Sequence, residues 1–212
     1  MTLALSALNI LGAVILLCAF LQLSQRRLTT MLKLNQIAAL ALSAGAFWQG
    51  FAQQAWLLYG VGALVLVVQA VALPRMVLRM VRLFRTSVQI EGALPPLWAM
   101  LVGLLPVILA ALAVLPAVKT SLPPISGNVA IALGVLLLGL WLVVVHSQAL
   151  AQIVGFIMLG NGLVFGLISA SGLGWAVDVA VMALLGIEAC LVLLAYWRYS
   201  APQETKADGA GS

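Results

Sequence analysis

The stretch Gln152-Ile153-Val154-Gly155-Phe156-Ile157-Met158-Leu159-Gly160-Asn161-Gly162 decides the class of fold. It is apolar apart from Gln152 at its start and Asn161 near its close. The apolar run continues over 152–172, which meets the ~20 residues a helix needs to cross a ~30 Å hydrocarbon layer. A second stretch, Val181-Met182-Ala183-Leu184-Leu185-Gly186-Ile187-Glu188-Ala189-Cys190, has the same character, and Glu188 is its one ionisable group besides the thiol. A polar side chain at membrane depth is costly, so Asn161 and Glu188 are the first candidates for a functional site.

Outward from this pair the chain stays apolar. Of 212 residues, 65% are hydrophobic and 7% charged, and the mean hydropathy is +1.21. Soluble domains carry roughly 25% charged residues, so a water-soluble fold is excluded. Seven stretches are long enough to span: 4–23, 34–52, 55–74, 97–118, 127–145, 152–172 and 176–197. They must be helices, because lipid offers unpaired backbone groups no partner. The expectation is an all-α integral membrane protein, with residues 1–199 as one seven-helix domain and 200–212 as a disordered polar tail. The first stretch has no basic residues before it and is longer than a signal peptide's ~7–15-residue apolar core, so it reads as a retained helix.

Charge sets the expected orientation. Arg26, Arg27, Lys33, Arg75, Arg79, Arg82, Arg85, Arg198 and Lys206 fall on one side of the seven spans, and Lys119 alone on the other. The positive-inside rule then places the N-terminus outside and the C-terminus in the cytoplasm. Trp48, Trp56, Trp175 and Trp197 lie near span ends, as an aromatic belt requires. Pro95-Pro96 stands where the fourth helix should begin, and Pro123-Pro124, with Ser126-Gly127, precedes the fifth. Pro74 is expected to end or kink the third span, and Pro106 to bend the fourth.

The basic residues after the third span form a pattern. Arg75, Arg79 and Arg82 recur at i, i+4 and i+7, one helical face, with Arg85 alongside. The segment 75–96 reads as a basic amphipathic cytoplasmic connection: an extension of the third helix, an interfacial helix on anionic headgroups, or a docking face for a partner. Nucleic acid is not an expected partner, since the basic residues of a membrane chain report orientation first.

The sixth span carries a resemblance. The motif from Gln152 to Gly162 resembles the helix of the hydrogenase-4 component E family that reads roughly Q-I-x-G-x-x-x-x-E-N-G. That family supplies a membrane subunit of formate hydrogenlyase and other group 4 hydrogenase-type complexes. Length, hydropathy, the basic segment after the third helix and the proline-marked fourth agree over nearly the whole chain. The last three helices (127–199) are also similar to the K subunit of respiratory complex I and the C subunit of multisubunit cation/proton antiporters. There, Ala183-Leu184-Leu185-Gly186-Ile187-Glu188-Ala189 matches a helix with a buried glutamate.

The resemblance implies a non-catalytic subunit of a complex I-like assembly in the bacterial inner membrane. Its partners would be antiporter-like membrane subunits, a peripheral redox arm and lipids, with no cofactor in this chain. It would scaffold the membrane arm, with a possible share in proton or cation movement. The chain also departs from the family. The glutamate of the sixth helix falls on Gly160, a lysine of the third helix falls on Gln69, and component E relatives more often place their last acid about one turn before Glu188. A degenerate relative that keeps only the structural role is therefore a second expectation.

Each polar candidate also has a structural reading. Glu188 is either a proton-carrying site, its carboxyl held neutral by burial, or a protonated hydrogen-bonding group between helices. Asn161, between Gly160 and Gly162, is expected to pack and pair across a helix contact, with polarisation of a water path as the alternative. Gln69 is expected to hydrogen-bond between helices. His146 is expected to be solvated or interfacial, and Asp178 to cap the seventh helix. Cys18 and Cys190 read as small packing residues. Two scattered cysteines cannot ligate a cluster that needs four thiolates, a lone histidine lacks a second axial partner for haem, and no metal site is expected. A self-standing small transporter is the alternative from another class, although it would call for broken helices or repeats. An enzyme would need a nucleophile–base or metal constellation, and none is visible.

Overall fold

The computed structural model describes residues 2–84, 95–118 and 123–169, together with 179, 183, 185–187, 190, 193, 194 and 197. The elements in chain order are α1 (Thr2–Gln22), α2 (Leu28–Gln53), α3 (Trp56–Val65), a π-helical segment (Leu66–Ala72), α4 (Leu73–Phe84), α5 (Pro96–Val118), α6 (Pro123–Val145) and α7 (Ala149–Ser169). No strand occurs among the described residues, and those between 179 and 197, where the seventh span is expected, are helical. Among the described residues, four helices are long and apolar enough to cross a membrane: Trp56–Arg79, Pro96–Val114, Gly127–Val145 and Leu150–Ser169.

Proline acts differently from expectation at two places. Pro74 does not end the third helix. Val65, Leu66 and Leu73 all keep right-handed helical backbone, so α3, the π segment and α4 form one continuous rod. The π segment widens the turn just before the proline, and Leu73 N–H bonds to Val68 O, five residues back. The basic stretch from Arg75 to Phe84 is thus an extension of the third helix, with Arg75 and Arg79 exposed while Leu73 and Val77 are buried. At the start of α6, Pro123 begins the helix, four residues before the expected 127. Pro96 opens α5 as expected, and α5 continues through Pro106 to Val118.

Small residues decide the packing. A Cβ on Gly162 of α7 would lie 2.6 Å from Leu136 N of α6, and one on Gly155 would lie 2.9 Å from Val143 N. From the other side, Gly139 of α6 faces the backbone of Leu159. The α6–α7 seam is therefore backbone against backbone over about two turns, a close approach that small residues permit. Elsewhere side chains fill the glycine notches: Phe165 of α7 at Gly12 of α1, Leu8 at Gly45 of α2, Leu16 at Gly134 of α6, and Leu23 at Gly103 of α5.

These contacts fix the topology. α1 pairs antiparallel with α2 and runs parallel to α6, α6 pairs antiparallel with α5 and α7, and α7 lies on α2. The third rod runs antiparallel along α2, with Leu58 at Gly50 and Ser43 Oγ donating to Gly62 O at 2.8 Å. In the apolar windows, 61% of α7 is buried but only 22% of α5, so α7 is central and α5 peripheral. Arg26, Arg27, Lys33, Arg75 and Arg79, all exposed, lie toward the same end of this bundle.

α2 exposes large apolar side chains and buries polar ones. Its buried face holds Asn35, Ser43 and Gln49 beside small residues and Leu28, Met31, Leu32 and Leu42, while Ile37, Leu40, Trp48 and Phe51 are exposed by 42–66%. Large apolar side chains outside and amides inside are the arrangement expected where lipid is the solvent. Trp56 and Trp197 are likewise exposed, and Cys18 is buried as expected, whereas Cys190 is exposed.

Candidate functional site

The polar centre of the bundle is built on two consecutive residues of α2. Neighbouring positions on a helix point about 100° apart, so Asn35 and Gln36 address different neighbours. Asn161 Nδ2 of α7 donates to Asn35 Oδ1 at 3.3 Å, and both residues are buried. Gln36 Nε2 donates to Ala70 O of the π segment at 3.0 Å. Gln69, next to Ala70, is fully buried. α7, α2 and the third rod are thereby tied at one level by amide side chains.

Ala70 lies in the π segment four residues before Pro74, which has no N–H with which to make an α-helical bond to it. Gln36 supplies a donor to this carbonyl from α2. Leaving a buried carbonyl bare costs about 1–3 kcal/mol. Gln36→Met, similar in volume but without a donor, is expected to destabilise the fold by about that amount, read by denaturant titration in mixed micelles. Adding Pro74→Ala should recover part of the loss by restoring a backbone donor. No loss in the single variant would contradict the role given to Gln36.

Asn161 thus pairs across a helix contact, and Gly162 beside it allows the close approach to α6. Its Nδ2 also lies 3.5 Å from Met158 Sδ, whereas its Oδ1 has no partner among the described residues. At the basic end, Gln22 closes α1 fully buried, with neither amide atom partnered among the described residues. His146 is 2% exposed, so it is not solvated. Its Nδ1 lies 3.0 Å from Leu142 O, a carbonyl that can only accept, so that nitrogen carries the proton. Gln152 Nε2 donates to His146 O at 3.0 Å, closing the α6–α7 corner.

Of the predicted site residues, Asn161 is bonded to Asn35 of α2, and Gln69 is buried beside Ala70, whose carbonyl accepts from Gln36 of α2. Arg75 and Arg79 lie well apart from it on the exposed face of α4. Arg82 is within α4, whereas Glu188, Arg85 and Asp178 lie outside the described residues. So do the remaining carboxylates, Glu91, Glu204 and Asp208. Sequence reasoning missed Asn35 and Gln36. The signal was available, since both are polar residues inside a predicted span.

Compared with family models, curated proteins and solved structures, the chain matches none of them. Its chemistry therefore rests on the residues. Asn and Gln do not titrate near neutral pH, so this layer can pass hydrogen bonds between helices and cannot hold a proton of its own. What it does well is lock three helices in register.

Proposed function

We propose that this chain is a multi-pass integral membrane subunit, with seven spans and its N-terminus outside, that scaffolds the membrane arm of a complex I-like, hydrogenase-4-type assembly. The observation that carries the reading is the neutral amide layer of Asn35, Gln36, Gln69 and Asn161. It replaces the charged residues that the family resemblance places in the third and sixth helices. A core bonded by amides and backbone-close glycines suits a rigid frame more than a proton relay, which needs several titratable groups in reach. Any proton-carrying role falls to Glu188. The exposed apolar face of α5 and the partners named by the resemblance support a subunit that works beside other membrane chains. A redox centre would belong to those partners, and the bacterial inner membrane is the location that goes with this reading.

The transporter alternative draws support from one feature, the π segment with Pro74, because irregular helices line many transport sites. Its carbonyl at Ala70, however, is already occupied by Gln36.

Orientation is testable directly. Single cysteines placed at Arg26 and at Gln54, in a background with Cys18 and Cys190 replaced, are expected to differ in spheroplasts. A membrane-impermeant thiol reagent should label position 54 and spare position 26. The reverse pattern would overturn the N-out assignment, and labelling of both would contradict a membrane-spanning α2.

A further inference from the structure

The third rod carries an exposed stripe that turns from apolar to cationic. Val67, Val71, Arg75 and Arg79 are all exposed, whereas Leu73, Pro74 and Val77 among them are buried, so the stripe lies on the side away from the bundle. Arg75 comes 19 residues after the exposed Trp56, about 28 Å of helix. That length is close to the ~30 Å of the hydrocarbon layer. With Trp56 at one boundary, the Arg75 guanidinium lies at the other.

α2 brings a second cation to this depth. The contacts Gly50–Leu58, Ser43–Gly62 and Gln36–Ala70 set one antiparallel register between α2 and the rod. Continued by one turn, it places Lys33 opposite residue 73, within about 3 Å of the Arg75 level by helical rise. Lys33 is exposed and lies three residues before Gln36, thus on the side of α2 that is turned to the rod. We propose that Arg75 and Lys33 hold the headgroup of an anionic phospholipid, a site that rests on the membrane reading above.

Charge and depth select that occupant. The chain has ten Lys and Arg against five Asp and Glu, and no carboxylate lies among the described residues to pair with these cations. A guanidinium on a lipid-facing stripe is costly unless it reaches an anion, and at the hydrocarbon boundary a phosphodiester is the anion its long stem meets. Arginine presents a donor fork suited to phosphate oxygens, while lysine adds a point charge. On the hydrocarbon side of Arg75 the stripe continues as Val71 and Val67, 40% and 58% exposed. An acyl chain covers such a surface, whereas free phosphate would leave it bare.

The test is native mass spectrometry of the full-length protein in mild detergent, titrated separately with phosphatidylglycerol and phosphatidylcholine. Phosphatidylglycerol is expected to be retained about twentyfold more strongly. R75Q and K33Q should each lower that preference about fivefold, and Arg75→Lys, which keeps the charge, should retain the larger part of it. R26Q removes a cation of the same end away from the rod and should leave the preference within about twofold. Equal retention of both lipids by the wild type, or a loss from R26Q as large as that from R75Q, would overturn the site. So would photo-crosslinking from position 71 in native membranes that captures a polypeptide in place of phospholipid. Release of the chain from membranes by alkaline carbonate would instead sink the membrane reading itself, so the two failures are told apart.

Discussion

Gly162→Leu is expected to yield no folded protein, and Gly162→Ala a protein destabilised by about 1–3 kcal/mol, the usual cost of overpacking. Even the alanine Cβ would lie 2.6 Å from Leu136 N, 2.9 Å from its Cα and 3.0 Å from Ala132 O. All three are backbone atoms of α6, so no rotamer change relieves the clash and the helices must separate. Separation breaks the whole seam, because Gly155 and Gly139 depend on the same interaxial distance. For leucine the added volume has nowhere to go, and folds of ordinary stability hold only about 5–15 kcal/mol in reserve. The measurement is the folded fraction in detergent by size-exclusion chromatography, with unfolding in mixed micelles for the alanine variant. Wild-type stability of Gly162→Ala would show that α6 and α7 are not in backbone contact.

The second large effect is expected at Phe165. It is 1% exposed and its ring fills the notch left by Gly12 on α1. Phe165→Ala should cost about 3–5 kcal/mol, through lost contacts and the cavity left between α1 and α7. Gly12→Ala approaches the same contact from the other side, because its Cβ would meet the ring. Here the opposing atoms are a side chain, so Gly12→Ala combined with Phe165→Leu should be more stable than the sum of the two losses. Strict additivity would place the two residues out of contact. A favourable coupling at Gly12–Phe165 beside an unrescued clash at Gly162 would distinguish side-chain packing from backbone packing within one bundle.

The sequence and the structure agree where the signal is local. The run around Gly155, Asn161 and Gly162 announces an apolar helix with small residues for close approach and an amide to pair, and α7 uses them in that way. The tryptophans near span ends and the clustering of basic residues were equally visible, since each depends on composition along one stretch. What depends on distant partners was not. Asn161 meets Asn35 across 126 positions, and nothing near either residue names the other. Pro74 was expected to end or kink the third span because a proline lacks an N–H and its ring crowds the preceding turn. The structure meets both difficulties, with a widened π turn for the ring and Gln36 as a donor to the Ala70 carbonyl. His146 was read as solvated or interfacial because it stands alone at a span end; the α6–α7 corner removes it from solvent and satisfies its Nδ1 on Leu142 O. In each case the residue type was read correctly and its surroundings came from another helix.

This also explains why the polar layer carries more weight than any single residue in it. An amide pair between membrane helices contributes about 0.6 kcal/mol on average and under about 2 kcal/mol at most. Asn35–Asn161 alone is a minor term in stability. Together with Gln36–Ala70 and Ser43–Gly62, it sets the register of α2 against two neighbours, because an amide that slips by one residue loses its partner in a medium without water. A fixed register is what a frame for other subunits requires.

The central claim is that this chain is a subunit of a larger membrane assembly, and affinity purification from its native membrane in mild detergent tests it most directly. Mass spectrometry of everything retained is expected to find antiporter-like membrane subunits together with a hydrogenase-like or quinone-reductase-like peripheral arm. Recovery of the chain by itself, as a stable monomer or homo-oligomer, would contradict the claim and favour a self-standing transporter.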